Sequence, residues 1–552
     1  MKTSISGALA ILAAVGLVAV GCAACNNVSS GGPPLPIVTI ETIGAPVGLV
    51  SQIDGSKSSD PGAQALSYTW SLVKVPAGST ATLSSLTTTT STLAADSGGD
   101  YDVRLTVRAA DGRINAATST LHVPNDPIFY VTGDVLASKT TIYPSLLSSD
   151  GRGDRIIGCT AEVPFGLATT STNIRPSTGV AGAGLFATTT SPGPSGRFVY
   201  SVMVPVGSGF GLAPFIADAT SACATNTPVR LDTEATAAIG EMPLATMFPR
   251  VSPNGKRVLM LIVGGEVIFV STVGVDGKGL RVIREYPSSK NAQIAPTWID
   301  DTTVAWGENA GGASNVLIKL YKGPDENKSA TTPKLIHDCA GVFQAVNQFE
   351  LLPGGKIALT AAIVSHQDNP AGAVNLYVQP LGTCSASVGQ VTTSDPPHYA
   401  ADFAISTDKK QMVFAWDRDA AATTQDLPKT QLFITSLEGT PTPTKLVIDD
   451  TVAQLGPRFV NGDKQIAFSK VEFSPTLHTP TQSSLWIVNT DGSGLRALKQ
   501  PPVVADENHF VLAGNNQGGA CSMGGEAARG AWLSAFVVVV GLLLRRRRYS
   551  RL

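Results

Sequence analysis

The sequence predicts an all-β protein in which a small two-sheet sandwich is followed by a ring of repeated antiparallel sheets, with an apolar helix at each terminus. Residues 37–124 alternate apolar and polar side chains in short runs separated by turn residues. From residue 127 onward, a short strand, a polar turn and an apolar strand recur in the same order. Only 15% of the 552 residues are charged and glycine is abundant, a composition typical of β-rich proteins with many turns.

The N-terminal segment, residues 1–21, is predicted to be a secretory signal peptide. A single lysine precedes an apolar stretch from Ile5 to Val20, which is too short and too poorly flanked for an ordinary membrane span. The stretch "AVGC" that ends at Cys22 resembles a bacterial lipobox, which implies lipidation of Cys22, although Ala19 stands where that motif usually has leucine. Plain cleavage near Ala24 is the alternative. Residues 22–36 are rich in Ser, Gly and Pro and are predicted to be a tether.

The C-terminal segment, residues 531–552, combines a short apolar run with arginines. Ala531–Leu544 is 14 residues without a charge, and as a helix it would span about 21 Å of a hydrocarbon core about 30 Å thick. The arginines from Arg545 to Arg548 mark the cytoplasmic side. Together with the glycine-rich linker 515–530, which contains Cys521, this tail resembles MYXO-CTERM sorting tails. That resemblance implies processing at Cys521 and delivery to the cell surface; a simple C-terminal membrane anchor is the alternative.

The charge of the chain is concentrated at its ends. The segments before Cys22 and after Ala520 together carry a net +6, so the whole-chain charge of −2 leaves about −8 on the body between them. No basic patch survives in that body, and nucleic acid is therefore not an expected partner.

The seven cysteines divide into two groups. Three belong to the processing regions: Cys22, Cys25 and Cys521. Four remain for the folded body: Cys159, Cys223, Cys339 and Cys384. An even number in an exported chain predicts two disulfides. We favour Cys159–Cys223 and Cys339–Cys384, because the first cysteine of each pair ends an apolar strand and the second follows a strand. No C-x-x-C with histidine partners exists outside the signal region, so no metal site is expected.

The sandwich at residues 37–124 carries two recognisable stretches, Asp54–Ser84 and Gly98–Arg113. Both resemble PKD-type, Ig-like domains. We expect Trp70 to be the central core aromatic and Tyr101 to pack near it.

Three aspartates of the sandwich suit either of two roles. They are Asp54, Asp60 and Asp111. Carboxylates with turn carbonyls suit a calcium ion. Turn capping by the aspartate side chains is the interpretation we favour.

Two motifs recur along the second part of the chain. The first is a hairpin with a polar turn, as in "FPRVSPNGKRVLMLI" from Phe248 and "LGPRFVNGDKQIAFSK" from Leu455. The second is D-G-x-G-x-R, which begins at Asp150, Asp276 and Asp491. Asp-Gly starts a tight hairpin turn because glycine tolerates positive φ. One sheet of this kind cannot bury both faces alone, whereas radial packing of several sheets does so and protects their edges. The sequence therefore predicts a β-propeller over residues 127–514.

The paired motifs resemble the TolB-type, WD40-like propeller repeat from roughly Ile128 to Gln500. Seven blades are favoured and six are the alternative, and Glu507–Gly514 is a candidate for the closing strand. The Arg-Gly-Asp triplet that begins at Arg152 occupies the place of "GKGL" and "GSGL" in the other repeats, so we interpret it as part of a turn rather than as an adhesion motif.

Motifs that would identify an enzyme are missing from the sequence. It contains no H-E-x-x-H, no G-x-S-x-G, no phosphate loop and no dinucleotide fingerprint. Asp300, Asp301 and Asp402 are predicted to cap turns. We therefore predict no catalytic residue and no cofactor. Two polar stretches, Asp417–Thr430 and Lys470–Ser483, are predicted to be long loops on one face of the propeller, where binding residues are more often found than on strands.

These observations predict an exported, membrane-anchored, non-enzymatic binding or scaffolding protein. We expect it at the bacterial outer membrane or cell surface, attached through a lipid anchor, the C-terminal tail or both. Its propeller would hold a protein or glycan partner. Two alternatives are an extracytoplasmic hydrolase or lyase built on the propeller, and a periplasmic component that docks envelope proteins.

Overall fold

The computed structural model describes residues 33–499 with internal gaps. The gaps are 125–126, 137–138, 154, 157–160, 164–167, 170–179, 182–185, 190–196, 207–208, 219–227, 241–242, 291–293, 312–316, 328–331, 364–373, 394–399, 419–429, 447–451 and 474–479. The predicted signal peptide, lipidation site, terminal helices, sorting cysteine and closing strand lie outside the described residues. So does the predicted Cys159–Cys223 pair.

The N-terminal domain is a sandwich of two three-stranded antiparallel sheets. One sheet contains β1 (Glu41–Ile43), β2 (Val50–Asp54) and β4 (Thr90–Ala94). The other contains β3 (Leu66–Lys74), β5 (Gly99–Ala109) and β6 (Ile114–Val123). Alternate residues of β5 are buried between the sheets, which is the pattern expected of a strand with one covered face.

The predicted aromatic core of the sandwich is confirmed. Trp70 is 1% exposed and Tyr101 is fully buried, and both pack in one cluster with Leu105. The indole Nε1 of Trp70 donates to the carbonyl oxygen of Thr88 at 2.7 Å, so the one polar atom of this buried ring is satisfied.

Seven further sheets follow in the described residues, and we number them as blades. Blade 1 contains β7 (Pro127–Leu136), β8 (Lys139–Ser148), β9 (Arg155–Ile156), β10 (Ala161–Val163), β12 (Val180–Ala181) and β13 (Phe186–Thr189). Blade 2 contains β11 (Ala168–Thr169), β14 (Arg197–Val206), β15 (Gly209–Asp218) and β16 (Val229–Arg230). Blade 3 contains β17 (Ala245–Val251), β18 (Arg257–Val263), β19 (Val267–Gly274) and β20 (Arg281–Pro287).

The remaining four blades follow the same plan. Blade 4 contains β21 (Thr297–Trp298), β22 (Thr303–Asn309), β23 (Ile318–Pro324) and β24 (Lys334–Asp338), and blade 5 contains β25 (Phe343–Leu352), β26 (Lys356–Ile363) and β27 (Val374–Pro380). Strand β28 (Gly382–Thr383) joins blade 4. Blade 6 contains β29 (Ala400–Ile405), β30 (Gln411–Trp416), β31 (Gln431–Ser436) and β32 (Thr444–Lys445), and blade 7 contains β33 (Ala453–Val460), β34 (Gln465–Phe473), β35 (Pro480–Asn489) and β36 (Arg496–Lys499). Helix α1 (Ala235–Ile239) and a 3₁₀ turn (Ser288–Lys290) lie between blades.

Apolar clusters between neighbouring sheets close the seven blades into a ring. Separate clusters join blades 3 and 4, 4 and 5, 5 and 6, and 6 and 7, and one larger cluster spans blades 1 to 3. The last cluster joins blade 7 back to blade 1 through Ile128, Leu147, Leu485 and Ile487. Within the described residues, the predicted seven-bladed propeller is therefore confirmed over the six-bladed alternative.

The seam between blades 7 and 1 has no strand crossing it among the described residues. Blade 7 comes entirely from residues 453–499, and blade 1 takes its strands next to β7 from the later β12 and β13. Two hydrogen bonds reach across the seam, and in the shorter one Arg496 Nη2 donates to the carbonyl oxygen of Ser149 at 2.7 Å. Side-chain packing therefore closes the described part of the ring.

The tight turns of the blades lie together at one end, which we call the hairpin face. In blade 3, the N–H of Val275 in the β19–β20 turn donates to the carbonyl oxygen of Lys256 in the β17–β18 turn at 3.1 Å. Equivalent bonds join Leu437 to Lys410 in blade 6 and Thr490 to Lys464 in blade 7. The opposite end, the loop face, carries the connections between the second and third strands of each blade.

The D-G-x-G motifs form the same turn in three blades. The first glycine of each has φ between +78° and +87° and the second has φ of +66° or +67°, at Gly151 and Gly153, Gly277 and Gly279, and Gly492 and Gly494. In each turn the aspartate Oδ1 accepts the N–H two residues later. The interpretation of the motif as a hairpin turn is confirmed, including the turn that contains Arg152.

Candidate functional site

The sandwich contacts the propeller at the hairpin face. Arg152, in the first D-G-x-G turn, donates to Asp100 Oδ2 of the sandwich at 2.7 Å and is also paired with Asp150 at 2.8 Å. His122 Nδ1 lies 2.7 Å from Asp100 Oδ1, and the hydrogen bond to His122 lowers the pKa of Asp100. A Cβ at Gly153 would lie 2.8 Å from the His122 ring, so glycine permits this close approach.

The start of the described chain lies at the other end of the sandwich. Arg113 donates to the carbonyl oxygen of Pro34, and Asn115 Nδ2 donates to the carbonyl oxygen of Pro36 at 2.8 Å. Strand β5 runs the length of the domain between these two ends, and its 11 residues span about 35 Å. The sandwich therefore separates the tether-proximal residues from the propeller, and the loop face lies at the end of the propeller away from the sandwich.

The loop face carries the connections between the second and third strands of blades 5, 6 and 7. Residues 364–373 join β26 to β27, residues 417–430 join β30 to β31, and residues 474–479 join β34 to β35. The second predicted long loop, residues 470–483, is shorter than expected because β34 extends to Phe473 and β35 begins at Pro480. Cross-strand pairing continues through this polar stretch, which its composition did not indicate.

Cations stacked on aromatic rings mark the loop face on two adjacent blades. In blade 6, the Arg418 guanidinium lies 5.5 Å from the centroid of the Trp416 ring and 5.2 Å from that of Phe433. In blade 7, Lys470 Nζ lies 4.0 Å from the centroid of the Trp486 ring. Such pairs keep long basic side chains in fixed positions, since each cation is attracted to the electron-rich face of a ring. Trp416 and Phe433 are buried, so Trp486 alone of these three rings offers apolar area beside the hydrogen-bond donors of Arg418 and Lys470.

Polar links between neighbouring blades hold the hairpin face rigid. The N–H of Asn254 in blade 3 donates to Asp301 Oδ1 of blade 4 at 2.8 Å. The N–H of Thr407 in blade 6 donates in the same way to Asp463 Oδ2 of blade 7 at 2.7 Å. Asp300 caps its own turn by accepting the N–H of Thr302 at 2.8 Å, as predicted.

Asp301 therefore joins two blades rather than capping its own turn, and the side chain of Asp402 lies outside the described residues. The strands that reach the loop face are fixed at their opposite ends by these contacts.

The three candidate calcium ligands of the sandwich are engaged with protein groups. Asp54, Asp60 and Asp111 each accept the N–H of the residue two positions later, as turn capping predicts. Asp60 and Asp111 also share the guanidinium of Arg113, at 2.8 and 2.6 Å. The bond to Arg113 lowers the pKa of both carboxyl groups. The guanidinium of Arg113 therefore occupies the space between the Asp60 and Asp111 carboxylates.

A second polar cluster lies between blades 4 and 5. Strand β28 follows blade 5 in sequence, but it pairs in parallel with β24 of blade 4, so His337 faces Gly382 and Asp338 faces Thr383. The predicted disulfide between Cys339 and Cys384 is confirmed at the ends of these two strands. His337 is fully buried beside it, and the ligating atoms of the three side chains lie within 4.8 Å of one another.

Sequence reasoning missed this histidine. The signal that could have found it is the spacing H-x-C at residues 337–339, because residues two apart on a strand point to the same side. A C-x-x-C pattern does not contain that spacing. In the described part of the chain, this is the only group of three histidine, cysteine or acidic side chains close enough to hold a metal ion.

No described helix is long and apolar enough to span a bilayer.

Residues 42–123 match the family described as "K319L-like, PKD domain". This range covers nearly the whole sandwich, from the second residue of β1 to the last residue of β6. None of the curated proteins matches the chain. A PKD domain together with a buried disulfide indicates a protein of the periplasm or the extracellular space.

Solved structures that resemble the chain do so at low identity. A nucleoside hydrolase-related hypothetical protein from Saccharophagus degradans is 20% identical over 16% of this chain and 26% of its own, with a TM-score of 0.15. TolB from Acinetobacter baumannii is 11% identical over 72% of this chain and 75% of its own, with a TM-score of 0.33. The β-propeller domain of the Trilobed protease from Pyrococcus furiosus is 11% identical over 73% of this chain and 96% of its own, with a TM-score of 0.39.

The chain spans about a quarter of the first of these structures. All three TM-scores are below 0.5, so the assignment of the propeller rests on its own ring of seven sheets. The chain therefore carries a PKD domain of the K319L-like family at residues 42–123, followed by a seven-bladed β-propeller.

Proposed function

We propose that this protein is a surface-anchored, non-enzymatic binding module that presents the loop face of its propeller to a protein or glycan partner. The observation that carries the proposal is the position of the PKD domain. It contacts the propeller at the hairpin face through Arg152 and Asp100, and it holds the start of the described chain at its far end. A chain attached at its N-terminus would therefore direct the loop face away from the point of attachment.

The proposed anchor is a lipid at Cys22, a C-terminal tail processed at Cys521, or both. The tether of residues 22–36 and the PKD domain would then act in series as a spacer. Because strand β5 alone spans about 35 Å, the propeller would stand clear of the membrane headgroups. The rigid links between blades support this arrangement, since a binding face on a flexible base would lose more entropy on binding.

The chemistry of the loop face suits a partner with both apolar surface and acceptor oxygens. Arg418 and Lys470 supply donors, and the half-buried Trp486 supplies ring surface, while the buried rings of Trp416 and Phe433 only support Arg418 from below. Protein partners and glycans both meet this description, because aromatic and arginine side chains are enriched at protein interfaces and sugar rings present both C–H faces and hydroxyl groups.

Site-specific crosslinking tests which face binds. A photo-crosslinking residue is placed at position 418 on the loop face and, as the matched control, at exposed Lys278 on the hairpin face. Irradiation of intact cells should give adducts with protein or glycan at position 418 and none at position 278. Adducts at position 278 alone, or at neither position in cells that display the protein, would contradict the proposal.

Surface attachment is tested separately. A membrane-impermeant biotin reagent should label the protein on intact cells. The combination of Cys22→Ala with removal of residues 515–552 should release the protein into the medium. A protein that stays unlabelled until the outer membrane is broken would instead support the periplasmic docking alternative.

A further inference from the structure

We propose that the pair Cys339–Cys384, once reduced, forms a buried Zn²⁺ site together with His337. In the oxidised protein the two sulfur atoms are joined, and a ring nitrogen of His337 lies within 4.8 Å of both. Two thiolates and one imidazole form a ligand set that zinc prefers. The inference concerns a site other than the loop face and is independent of the proposed function.

The backbone brings these three side chains together from two strands. His337 and Cys339 are two residues apart at the end of β24, so their side chains point to the same side. Cys384 follows β28, and its N–H donates to the carbonyl oxygen of Asp338 at 2.9 Å. Reduction breaks the covalent link but leaves this parallel pairing in place, so the two sulfur atoms remain neighbours.

The tautomer of His337 indicates how the ring would bind a metal. Nδ1 accepts the N–H of Gly382 at 3.1 Å, so the lone pair is on Nδ1 and the proton is on Nε2. Nε2 is buried and has no hydrogen-bond partner of normal geometry among the described residues. Because Nδ1 accepts the bond from Gly382, the ring is in a neutral tautomer, which is the form that ligates metals.

Metal binding through either ring nitrogen removes the bond to Gly382. If Nδ1 binds the ion, its lone pair is no longer available to the Gly382 N–H. If Nε2 binds the ion, the proton must move to Nδ1, which then cannot accept. Gly382 and Thr383 are both exposed, so the released N–H turns to water. Water beside these two exposed residues is the source of the fourth ligand.

Charge balance selects a divalent ion. His337 and Cys339 are fully buried and Cys384 is 4% exposed, so a net charge at this site would be costly. Two thiolates, a neutral imidazole and Zn²⁺ sum to zero, whereas the same ligands with Cu⁺ leave one negative charge. The chemical steps also balance. A phosphine and one water convert the disulfide into two thiols and a phosphine oxide, and Zn²⁺ then displaces the two thiol protons.

The consequence is a cross-link between blade 4 and the segment that follows blade 5 in the chain, and it persists in both redox states. In oxidising surroundings the disulfide joins the two strands, and in reducing surroundings with zinc the metal does so. The neighbouring cluster contains Phe343 and Tyr377, which pack with ring centroids 4.9 Å apart on the buried side of the site.

The test uses the full chain with the other five cysteines replaced by serine. The protein is reduced with a phosphine, freed of reductant without oxygen, and titrated with Zn²⁺ against a chromophoric chelator. Co²⁺ serves as a spectroscopic substitute. We expect one ion per chain, thiolate-to-cobalt charge-transfer bands, and two sulfur neighbours in zinc X-ray absorption. Hydrogen exchange at Gly382 should become faster when zinc is added.

Three variants make the outcome specific. Cys339→Ser with Cys384→Ser should abolish binding, and His337→Gln should weaken it by about tenfold or more while leaving the sulfur neighbours in place. The matched control, His122→Gln at the domain junction, should bind as the parent does. Circular dichroism confirms that each variant is folded.

Two results would overturn the proposal. The first is a reduced, folded parent that retains no Zn²⁺. The second is a His337→Gln variant with unchanged affinity and cobalt spectrum.

Discussion

A single core substitution at the seam between blades 7 and 1 is expected to open the propeller at that seam. Leu485 and Ile128 are fully buried in the cluster that closes the ring. Leu485→Ala removes three carbons, which at about 0.8 kcal/mol each amounts to about 2.4 kcal/mol of transfer free energy. A residual cavity of roughly 50 Å³ adds about 1.2 kcal/mol. The free energy of unfolding should therefore fall by about 3 to 4 kcal/mol.

The seam should respond more locally than the other interfaces. Because blades 7 and 1 are not consecutive in the chain, loss of packing there separates two sheets that no short connection holds together. Urea unfolding measures the change in free energy, and hydrogen exchange read by mass spectrometry measures where protection is lost. We expect faster exchange first in β7, β8, β34 and β35.

A matched control in the same blade is Leu495→Ala. Leu495 is 39% exposed in the turn before β36, so its replacement should change the free energy of unfolding by less than about 0.5 kcal/mol. The reasoning would be refuted if Leu485→Ala cost less than about 1 kcal/mol. It would also be refuted if the variant lost protection evenly in all seven blades, because the ring would then behave as one cooperative unit.

Three further predictions test other parts of the structure. Gly277→Ala should destabilise the protein more than Gly279→Ala. Both glycines have positive φ, which costs about 1 to 2 kcal/mol for alanine, but only at Gly277 would the new methyl group lie 2.9 Å from a backbone oxygen. Thermal unfolding of the two variants measures the difference. The pKa of Asp96 is lowered to about 2 by hydrogen bonds from the hydroxyl of Ser79 and from the N–H and hydroxyl of Thr80. Its contribution to stability is therefore present above about pH 4 and is lost as the pH falls toward 2. Asp96→Asn should therefore be less stable than the parent at pH 7, with a gap that closes near pH 2 in calorimetric scans; a constant gap would contradict the assignment. Replacing Cys339 and Cys384 by serine opens a loop of 45 residues and should cost up to about 4 kcal/mol in urea unfolding without added reductant, whereas an unchanged midpoint would show that the pair adds no stability.

Features that repeat or alternate along the chain were predictable from sequence. The period-2 pattern around Trp70 and Tyr101 identified the core of the sandwich, since a strand with one covered face must alternate. The D-G-x-G motifs identified hairpin turns because only glycine adopts their backbone conformation at low cost. The pairing of Cys339 with Cys384 followed from their positions relative to strands.

Features set by single tertiary contacts were not predictable. Strand β28 has two residues and no period, so nothing in its sequence indicates that it pairs with β24 rather than with its own blade. Strands β12 and β13 belong to blade 1 although β11, which precedes them in the chain, belongs to blade 2. This order departs from the expected one blade per repeat. The loop face was expected from polar composition, but the contacts of Arg418 and Lys470 with aromatic rings depend on side-chain geometry that composition does not contain.

The bond between Arg496 and Ser149 joins residues 347 positions apart, and this separation affects how the protein folds. Bringing such distant residues together costs about 2.5 kcal/mol more chain entropy than closing a segment of about 20 residues. Chains are synthesised at about 5 to 20 residues per second, so the first blade waits about 20 to 70 s for its last neighbour. During that interval one apolar flank of the nascent propeller has no cover, and this is the period in which the newly made chain is most exposed to proteolysis and aggregation.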